Sequence, residues 1–230
     1  MEPGAGHGGR QGDYRLAPEH PYPAAVEDGL AAYAGLLESG ISPARVLVAG
    51  DSAGGGLAVA ALLAARDRGL PQPAAVAVFS PWADISRSGA SMHAKDGTDP
   101  LFSYDAMGWY AGRYLPAGER SAPLASPVFA TLAGLPPLLI QAGSDEVLLD
   151  DAVRLAANAG QDAAGGPRRH ARLPALLRST GRSRGGHRRS RAVLQAAPQL
   201  AHGEPDRPVR VGLLHIPIVT GSHRAVAWLP

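Results

Sequence analysis

A G-x-S-x-G pentapeptide at residues 50–54 lies between two runs of different character. Residues 45–49 before it are a short apolar run typical of a buried strand, and residues 55–66 after it are good helix formers. Ser52 is therefore predicted to lie on a tight turn between a strand and a helix, with its hydroxyl pushed out of the sheet. This context favours Ser52 as a nucleophile and the backbone amide of Ala53 as an oxyanion donor. A tight turn without a catalytic role is the alternative interpretation.

The rest of the pattern predicts the fold class. Two further apolar runs, 74–79 and 137–143, are typical of strands buried on both faces. Three segments are predicted as helices, at 24–37, 104–114 and 148–157. Residues 83–127 are otherwise rich in residues that form loops. Strands that alternate with helices predict an α/β protein with a mostly parallel, doubly wound sheet.

Asp145 is the candidate acid. It comes just after the last predicted strand, and catalytic groups of such sheets collect at the carboxyl ends of the strands. It also follows Ser52 in the chain, the order nucleophile then acid. An N-cap for the next helix is the alternative role, and the two roles are compatible. Glu146 is a nearby carboxylate, whereas Asp150 and Asp151 are predicted to face solvent from within the helix.

Composition excludes several classes of protein. The chain of 230 residues has no cysteine, so disulfides, thiolate metal sites and a cysteine nucleophile are excluded. No run of 18 apolar residues is present, and the N-terminus has no basic segment followed by an apolar one. We therefore expect a single-core protein without a secretion signal, located in the cytoplasm and without a membrane partner.

Four motifs together resemble one known family. They are Asp-Tyr-Arg-Leu-Ala-Pro-Glu-His-Pro at 13–21, Gly-Asp-Ser-Ala-Gly-Gly at 50–55, Ser-Pro-Trp at 80–82 and Gly-Ser-Asp-Glu at 143–146. Over residues 12–160 the chain is similar to the bacterial hormone-sensitive-lipase-like branch of the α/β-hydrolase family. The resemblance implies a carboxylesterase for short acyl esters that forms an acyl-enzyme and needs no cofactor or metal. It also implies Ser52 as nucleophile, Asp145 as the acid that orients a histidine, and the Ala53 amide as one oxyanion donor.

Two departures from the family pattern bear on activity. The family's H-G-G-G stretch lies a helix and a strand before its D-Y-R-L-A-P-E-H-P segment, but here residues 7–9, His-Gly-Gly, come only a few residues before Asp13. We interpret this tripeptide as accidental. The family's catalytic histidine segment is also not recognisable, and His170 is a candidate by position with unsuitable neighbours. We therefore expect the N-terminal strands, the oxyanion loop and the histidine segment to be missing.

The chain changes character near residue 160. Between 161 and 191 there are nine arginines and one acid, although the net charge of the whole chain is only +2. Read one nucleotide later, the codons of residues 170–176 permit Met-His-Val-Phe-Gln-Leu-Phe, which is typical of the family's histidine segment. We therefore divide the chain into a partial hydrolase domain, 1–160, and a tail, 161–230. The tail is predicted to be out of frame, poorly ordered and without a strand.

Three functions remain open from the sequence. The first is an active carboxylesterase acting on a small-molecule ester. The second is a catalytically impaired hydrolase fragment, and for this reason we expect the chain to hydrolyse short acyl esters barely above background. The third is nucleic-acid binding through the arginine-rich tail, which is disfavoured because the segment 161–191 has no aromatic residue for base stacking.

Overall fold

The computed structural model describes residues 10–11, 13–116, 118–165, 176–180 and 212–216. Its strands are β1 (Arg10–Gln11), β2 (Val46–Asp51), β3 (Ala75–Phe79), β4 (Leu138–Gly143), β5 (Leu176–Thr180) and β6 (Gly212–Ile216). They form one sheet in the order β1-β6-β2-β3-β4-β5, and all neighbouring strands are parallel. From β2 the chain adds strands outward to β5 and then returns to the other side of β2. This is the order of a doubly wound sheet, so the predicted architecture is confirmed.

The central strands β2, β3 and β4 are buried on both faces, as their unbroken apolar runs predict. The side chains of one face belong to the main hydrophobic core: Val46, Val48, Val76, Val78, Leu138 and Ile140. The other face forms a smaller cluster: Ala49, Ala77, Leu139 and Phe79. The loops that follow these strands carry the candidate site.

Five α-helices complete the described structure. They are α1 (Ala24–Glu38), α2 (Ala53–Asp67), α3 (Ser91–Ala94), α4 (Tyr104–Tyr114) and α5 (Leu149–Gly165). Helix α2 is the central one, because its residues from Gly54 to Ala65 are all buried. Helix α1 approaches α2 closely at Gly29, where an added Cβ would lie 3.1 Å from the Cβ of Ala61. Burial of α2 on all sides fixes its first turn firmly relative to the sheet.

A second hydrophobic cluster lies beside the start of α2. It is built from the segment after β3, from α4 and from the turn after β4, through Trp82, Ile85, Met92, Met107, Ala111 and Leu148. The helix predicted at 104–114 is confirmed as α4, and the Ser103 hydroxyl accepts a hydrogen bond from the Ala106 amide at its first turn. The loop-rich region therefore packs on its own core next to the candidate nucleophile.

The tail contributes two strands, which corrects the prediction of none. Strand β5 pairs with β4, with Thr180 opposite Gly143, and β6 pairs with β2, with Ile216 opposite Gly50. Pairing with an existing strand uses backbone groups, so it depends little on the arginine-rich side-chain composition on which the prediction relied. Helix α5 also continues past the predicted boundary at 160. The out-of-frame origin and the poor order of the tail stay predictions.

Candidate active site

Ser52 lies on a strained turn between β2 and α2. Its backbone has φ 50° and ψ −121°, a combination that is costly for a residue other than glycine. The strain persists because both backbone groups are held: the Ser52 amide donates to the Phe79 carbonyl at 2.9 Å, and the Ser52 carbonyl accepts from the Trp82 amide at 2.8 Å. The predicted strand-to-helix turn is confirmed, and the residue is only 7% exposed.

Two glycines allow this turn to form. A Cβ on Gly50 would lie 2.5 Å from the carbonyl carbon of Gly54, and a Cβ on Gly56 would overlap the carbonyl oxygen of Trp82. No ordinary side chain fits in either place without a backbone shift. The glycines around Ser52 are therefore required by close backbone contact, as well as by the family motif.

The Ala53 amide belongs to the first residue of α2. The first amides of a helix have no acceptor within the helix, and the helix dipole places partial positive charge there. Ala53 follows Ser52 directly, so its amide is close to any oxyanion formed on an acyl group at the serine. The start of α2 thus has the character of an anion-stabilising site.

Asp145 lies on the turn after β4 and is half-buried. Strand β3 separates β4 from β2, so Asp145 and Ser52 stand at the same edge of the sheet, two strand positions apart. Neighbouring strands are about 4.8 Å apart, which gives a strand-to-strand separation of about 10 Å. Both residues therefore lie at the strand ends where they were predicted.

Side chains from distant parts of the chain hold the Asp145 turn. The Asp99 carboxylate accepts a hydrogen bond from the Val147 amide at 2.8 Å. The Ser91 hydroxyl donates to the Val147 carbonyl at 2.7 Å and accepts from the Asp150 amide at 2.9 Å. None of these contacts was predicted, because they join residues that are 48 to 59 positions apart.

Asp151 is fully buried, which corrects the prediction that it faces solvent. One of its carboxyl oxygens accepts hydrogen bonds from the amides of Ala83 and Asp84, at 2.8 and 2.9 Å. Burial, assisted by the nearby Asp84 carboxylate, raises the pKa of Asp151 to about 8. Because the amide of the preceding Trp82 binds the Ser52 carbonyl, Asp151 connects helix α5 with the Ser52 turn.

Asp84 is buried in the same place but has the opposite character. Its carboxylate accepts hydrogen bonds from the hydroxyls and amides of Ser86 and Ser88, and it pairs with Arg154 at 2.7 Å. Burial favours a raised pKa, but these hydrogen bonds outweigh it and lower the pKa of Asp84. Two neighbouring buried carboxyl groups thus favour different protonation states, with Asp84 charged and Asp151 neutral at neutral pH.

A cavity of about 250 Å³ opens beside Ser52. Its walls are mainly aromatic and aliphatic and include Tyr14, Trp82, Phe102, Met107, Tyr110 and Leu124. Burial, with a smaller effect from Asp51, raises the pKa of Tyr14 to about 12, so this phenol is neutral at physiological pH. Ser52 therefore faces an apolar space of the kind that binds small organic molecules.

The α/β-hydrolase family model, described as alpha/beta hydrolase fold, matches residues 12–177. This chain belongs to the α/β-hydrolase fold family. It is 55% identical over 139 residues to an acetyl-hydrolase of Streptomyces hygroscopicus, covering 60% of this chain and 46% of that protein. It is 38% identical over 150 residues to an esterase of Acinetobacter venetianus, covering 65% of this chain and 50% of the relative. The chain thus spans about half the length of these relatives.

Solved structures agree with this assignment. An esterase of the bacterial hormone-sensitive lipase family matches with a TM-score of 0.68 and 46% identity. The match covers 74% of this chain and 54% of the esterase. A crystal of EstE5 soaked with p-nitrophenyl butyrate matches with a TM-score of 0.67 and 47% identity, with the same coverage of the two chains. The resemblance to the hormone-sensitive-lipase-like branch is therefore confirmed.

No histidine is among the described side chains that line the cavity. His20 is exposed in the loop before α1, and His93 stacks on Tyr104 with ring centroids 4.1 Å apart. His170 and the tripeptide at 7–9 lie outside the described residues. In the described part of the chain, no group of three or more potential ligands is placed to hold a metal, and no helix is long and apolar enough to cross a bilayer.

Proposed function

We propose that this chain is a carboxylic ester hydrolase of the hormone-sensitive-lipase-like type, with Ser52 as nucleophile. The observation that carries the proposal is the strained Ser52 turn at the start of a buried helix, next to an apolar cavity. The names of the relatives, an acetyl-hydrolase and esterases, support hydrolysis of short acyl esters. The substrate is a small-molecule ester, and the reaction needs no cofactor.

The proposed reaction proceeds through an acyl-enzyme. The Ser52 hydroxyl oxygen attacks the ester carbonyl carbon while its proton passes to a histidine, and the C–O bond to the alcohol then breaks as the alcohol takes that proton. Water, deprotonated by the same histidine, attacks the acyl-serine and releases the carboxylic acid. The Ala53 amide donates to the carbonyl oxygen as it becomes an oxyanion, which where tested is worth roughly a hundred- to a thousand-fold in rate.

Asp145 is proposed as the acid that orients the histidine. Its place on the turn after β4, at the same sheet edge as Ser52, supports this role. A carboxylate there accepts a hydrogen bond from the imidazole nitrogen opposite the one that faces the serine, and it stabilises the imidazolium during attack. The histidine itself is not assigned, and His170 stays the candidate from the sequence.

Hydrolysis of p-nitrophenyl acetate and p-nitrophenyl butyrate tests the proposal. We expect a rate that exceeds the uncatalysed rate and is lost in Ser52→Ala. Asp145→Asn should lower the rate strongly while leaving the folded state intact. Ser39→Ala is the matched control, because Ser39 is an exposed serine at the end of α1 that contacts only its own helix turn. Equal rates for the wild-type chain and Ser52→Ala would exclude the proposal.

The size of the Ser52-dependent rate decides a second question. A rate barely above background agrees with the expectation that the catalytic histidine segment is not encoded in frame. Robust turnover that disappears in Ser52→Ala and in His170→Ala would contradict that expectation and identify His170 as the base. Sequencing the coding DNA around residues 155–200 tests the out-of-frame hypothesis directly.

A further inference from the structure

Two arginines line the cavity beside Ser52, and only one of them is neutralised. Arg15 pairs with the Asp28 carboxylate at 2.8 Å and with Glu27 at 3.2 Å. Arg113, in the last turn of α4, makes no ion pair with a carboxylate in the part of the chain that the structure describes. The lining also contains no aspartate or glutamate. The cavity wall therefore carries an uncompensated positive charge at Arg113.

Arg113 is held in place by stacking. Its guanidinium carbon lies 3.3 Å from the centroid of the Trp109 ring. This contact uses the flat face of the guanidinium and leaves its N–H groups, which point outward in the plane, able to donate. Since Trp109 is 54% exposed, the charge sits at the solvent side of the cavity. A guanidinium fixed in this way loses little conformational freedom when it binds a planar anion.

The surroundings strengthen the effect of this charge. Most of the cavity wall is aromatic or aliphatic, for example Phe102, Met107 and Leu124. Apolar walls exclude water and reduce dielectric screening, so an anion that enters gains more from Arg113 than it would in open solvent. A neutral ligand of the same shape gains nothing from the charge.

We propose that this cavity takes esters that carry a carboxylate remote from the scissile bond, and that Arg113 binds this carboxylate. The inference rests on the proposed ester hydrolysis at Ser52, because it assumes that the cavity is the substrate site. Arg113 is then a specificity-determining residue: it selects an anionic substrate but takes no part in bond breaking. The carboxylate belongs either to the acyl part or to the alcohol part of the ester.

Binding to the Ser52→Ala variant of the full chain tests this without relying on turnover. Two matched ligand pairs are titrated by calorimetry and by tryptophan fluorescence, since Trp82 and Trp109 both line the cavity. The first pair is monomethyl adipate, with its charge on the acyl side, and the corresponding terminal carboxamide. The second pair is the acetate ester of γ-hydroxybutyrate, with its charge on the alcohol side, and its carboxamide. In each pair the two ligands have nearly the same shape and differ in charge.

We expect one carboxylate ligand to bind about ten- to a hundredfold more tightly than its carboxamide. Adding Arg113→Gln should remove this preference without weakening carboxamide binding, and Arg113→Lys should retain only part of it, because lysine lacks the planar donor fork. Arg68→Gln is the matched control. It removes the same charge at the far end of α2, about 20 Å along the helix from Ala53, and should leave the preference unchanged.

Several results would overturn the proposal. They are equal binding of carboxylate and carboxamide in both pairs, no binding of any of the four ligands, and a preference that survives Arg113→Gln. A loss of carboxylate and carboxamide binding alike in Arg113→Gln would also overturn it, since that result assigns Arg113 to the packing of Trp109. Absence of hydrolysis together with an Arg113-dependent preference would reject the ester hydrolase and retain the anion site, so the two failures are distinguishable.

Discussion

The turn that carries Ser52 and the turn that carries Asp145 lie at the same sheet edge but are held in different ways. The Ser52 turn is fixed by backbone hydrogen bonds to Phe79 and Trp82 and by glycines that permit close contact. The Asp145 turn is fixed by the side chains of Asp99 and Ser91. The Ser52 turn is therefore held through backbone groups and through glycines of the local motif, whereas the Asp145 turn depends on particular side chains about 50 positions away.

Gly56→Ala should give the largest effect, because it breaks the contact with Trp82 on which the Ser52 turn depends. The new methyl group would overlap the Trp82 carbonyl oxygen and lie 3.0 Å from its carbonyl carbon. Since backbone cannot rotate away as a side chain can, we expect a loss of about 3 kcal/mol in the free energy of unfolding. Urea denaturation measures it.

Gly35→Ala is the control for this substitution. Gly35 lies within α1, and a Cβ there would meet nothing within 4 Å. Alanine is the better helix former, so this variant should be more stable by about 0.5–1 kcal/mol. If both substitutions changed stability by the same amount, close packing at Gly56 would not be the cause.

Asp151→Asn tests the link between the two regions, and its effect should depend on pH. The unfolded chain releases the Asp151 proton near the ordinary aspartate pKa of 3.8, whereas the folded chain keeps it until the pKa of about 8. Between these values the unfolded state binds fewer protons, so this residue's contribution to stability is lost as pH rises. The slope is at most about 1.4 kcal/mol per pH unit. Asparagine keeps an oxygen for the Ala83 and Asp84 amides but has no proton to release.

The measurement compares unfolding of the two proteins at about pH 5.5 and about pH 7. The free energy of unfolding of Asp151→Asn, minus that of the wild type, should rise by up to about 2 kcal/mol when the pH is raised from about 5.5 to about 7. A difference that is the same at both pH values would show that Asp151 is already ionised in the folded protein. Asp105→Asn, at an exposed position in α4, should show no such trend.

Asp99→Ala should loosen the Asp145 turn while leaving the Ser52 turn intact. The substitution removes the acceptor for the amides of Val147, Leu101 and Phe102. We expect a loss of about 1–2 kcal/mol in the free energy of unfolding, since the amide of the buried Val147 loses its acceptor, whereas the exposed Leu101 amide gains water as a new partner. Hydrogen exchange should accelerate at the Val147 amide and stay unchanged at the Ser52 amide. Equal acceleration at both amides would mean that the two turns open together.

The sequence predicts the Ser52 turn better than the Asp145 turn, because the segments that form the Ser52 turn follow one another in the chain. An apolar run, a G-x-S-x-G segment and an alanine-rich helix are neighbours in the chain, so their local pattern determines where Ser52 lies. The position of Asp145 can also be predicted from the sequence, because the residue comes shortly after the end of the apolar strand β4. The hydrogen bonds that hold the Asp145 turn cannot be predicted from the sequence, because Asp99 and Ser91 lie in a loop-rich region without periodicity.

Asp151 shows where reasoning from local pattern fails. Acidic residues within a helix usually face solvent, so the sequence predicts an exposed Asp151 side chain. In the fold, the segment after β3 covers this face of α5 and presents two amides to the carboxyl group. The strands of the tail, β5 and β6, were not predicted for a related reason. The prediction used side-chain composition, whereas strands pair through their backbone groups.

Ser103→Ala should give the smallest effect, since it removes a local contact that belongs to neither turn. The Ser103 hydroxyl accepts a hydrogen bond from the Ala106 amide at 3.2 Å and caps α4, the helix that carries Trp109 and Arg113. Loss of an exposed helix cap lowers the free energy of unfolding by about 0.5–1 kcal/mol. Ser103→Asp should keep the wild-type stability, because aspartate caps a helix equally well. Hydrogen exchange should accelerate in the first turn of α4 and not at Val147 or Ser52. Acceleration at either turn would show that α4 also supports that turn, and the distinction between a turn held by backbone contacts and a turn held by the side chains of Asp99 and Ser91 would no longer hold.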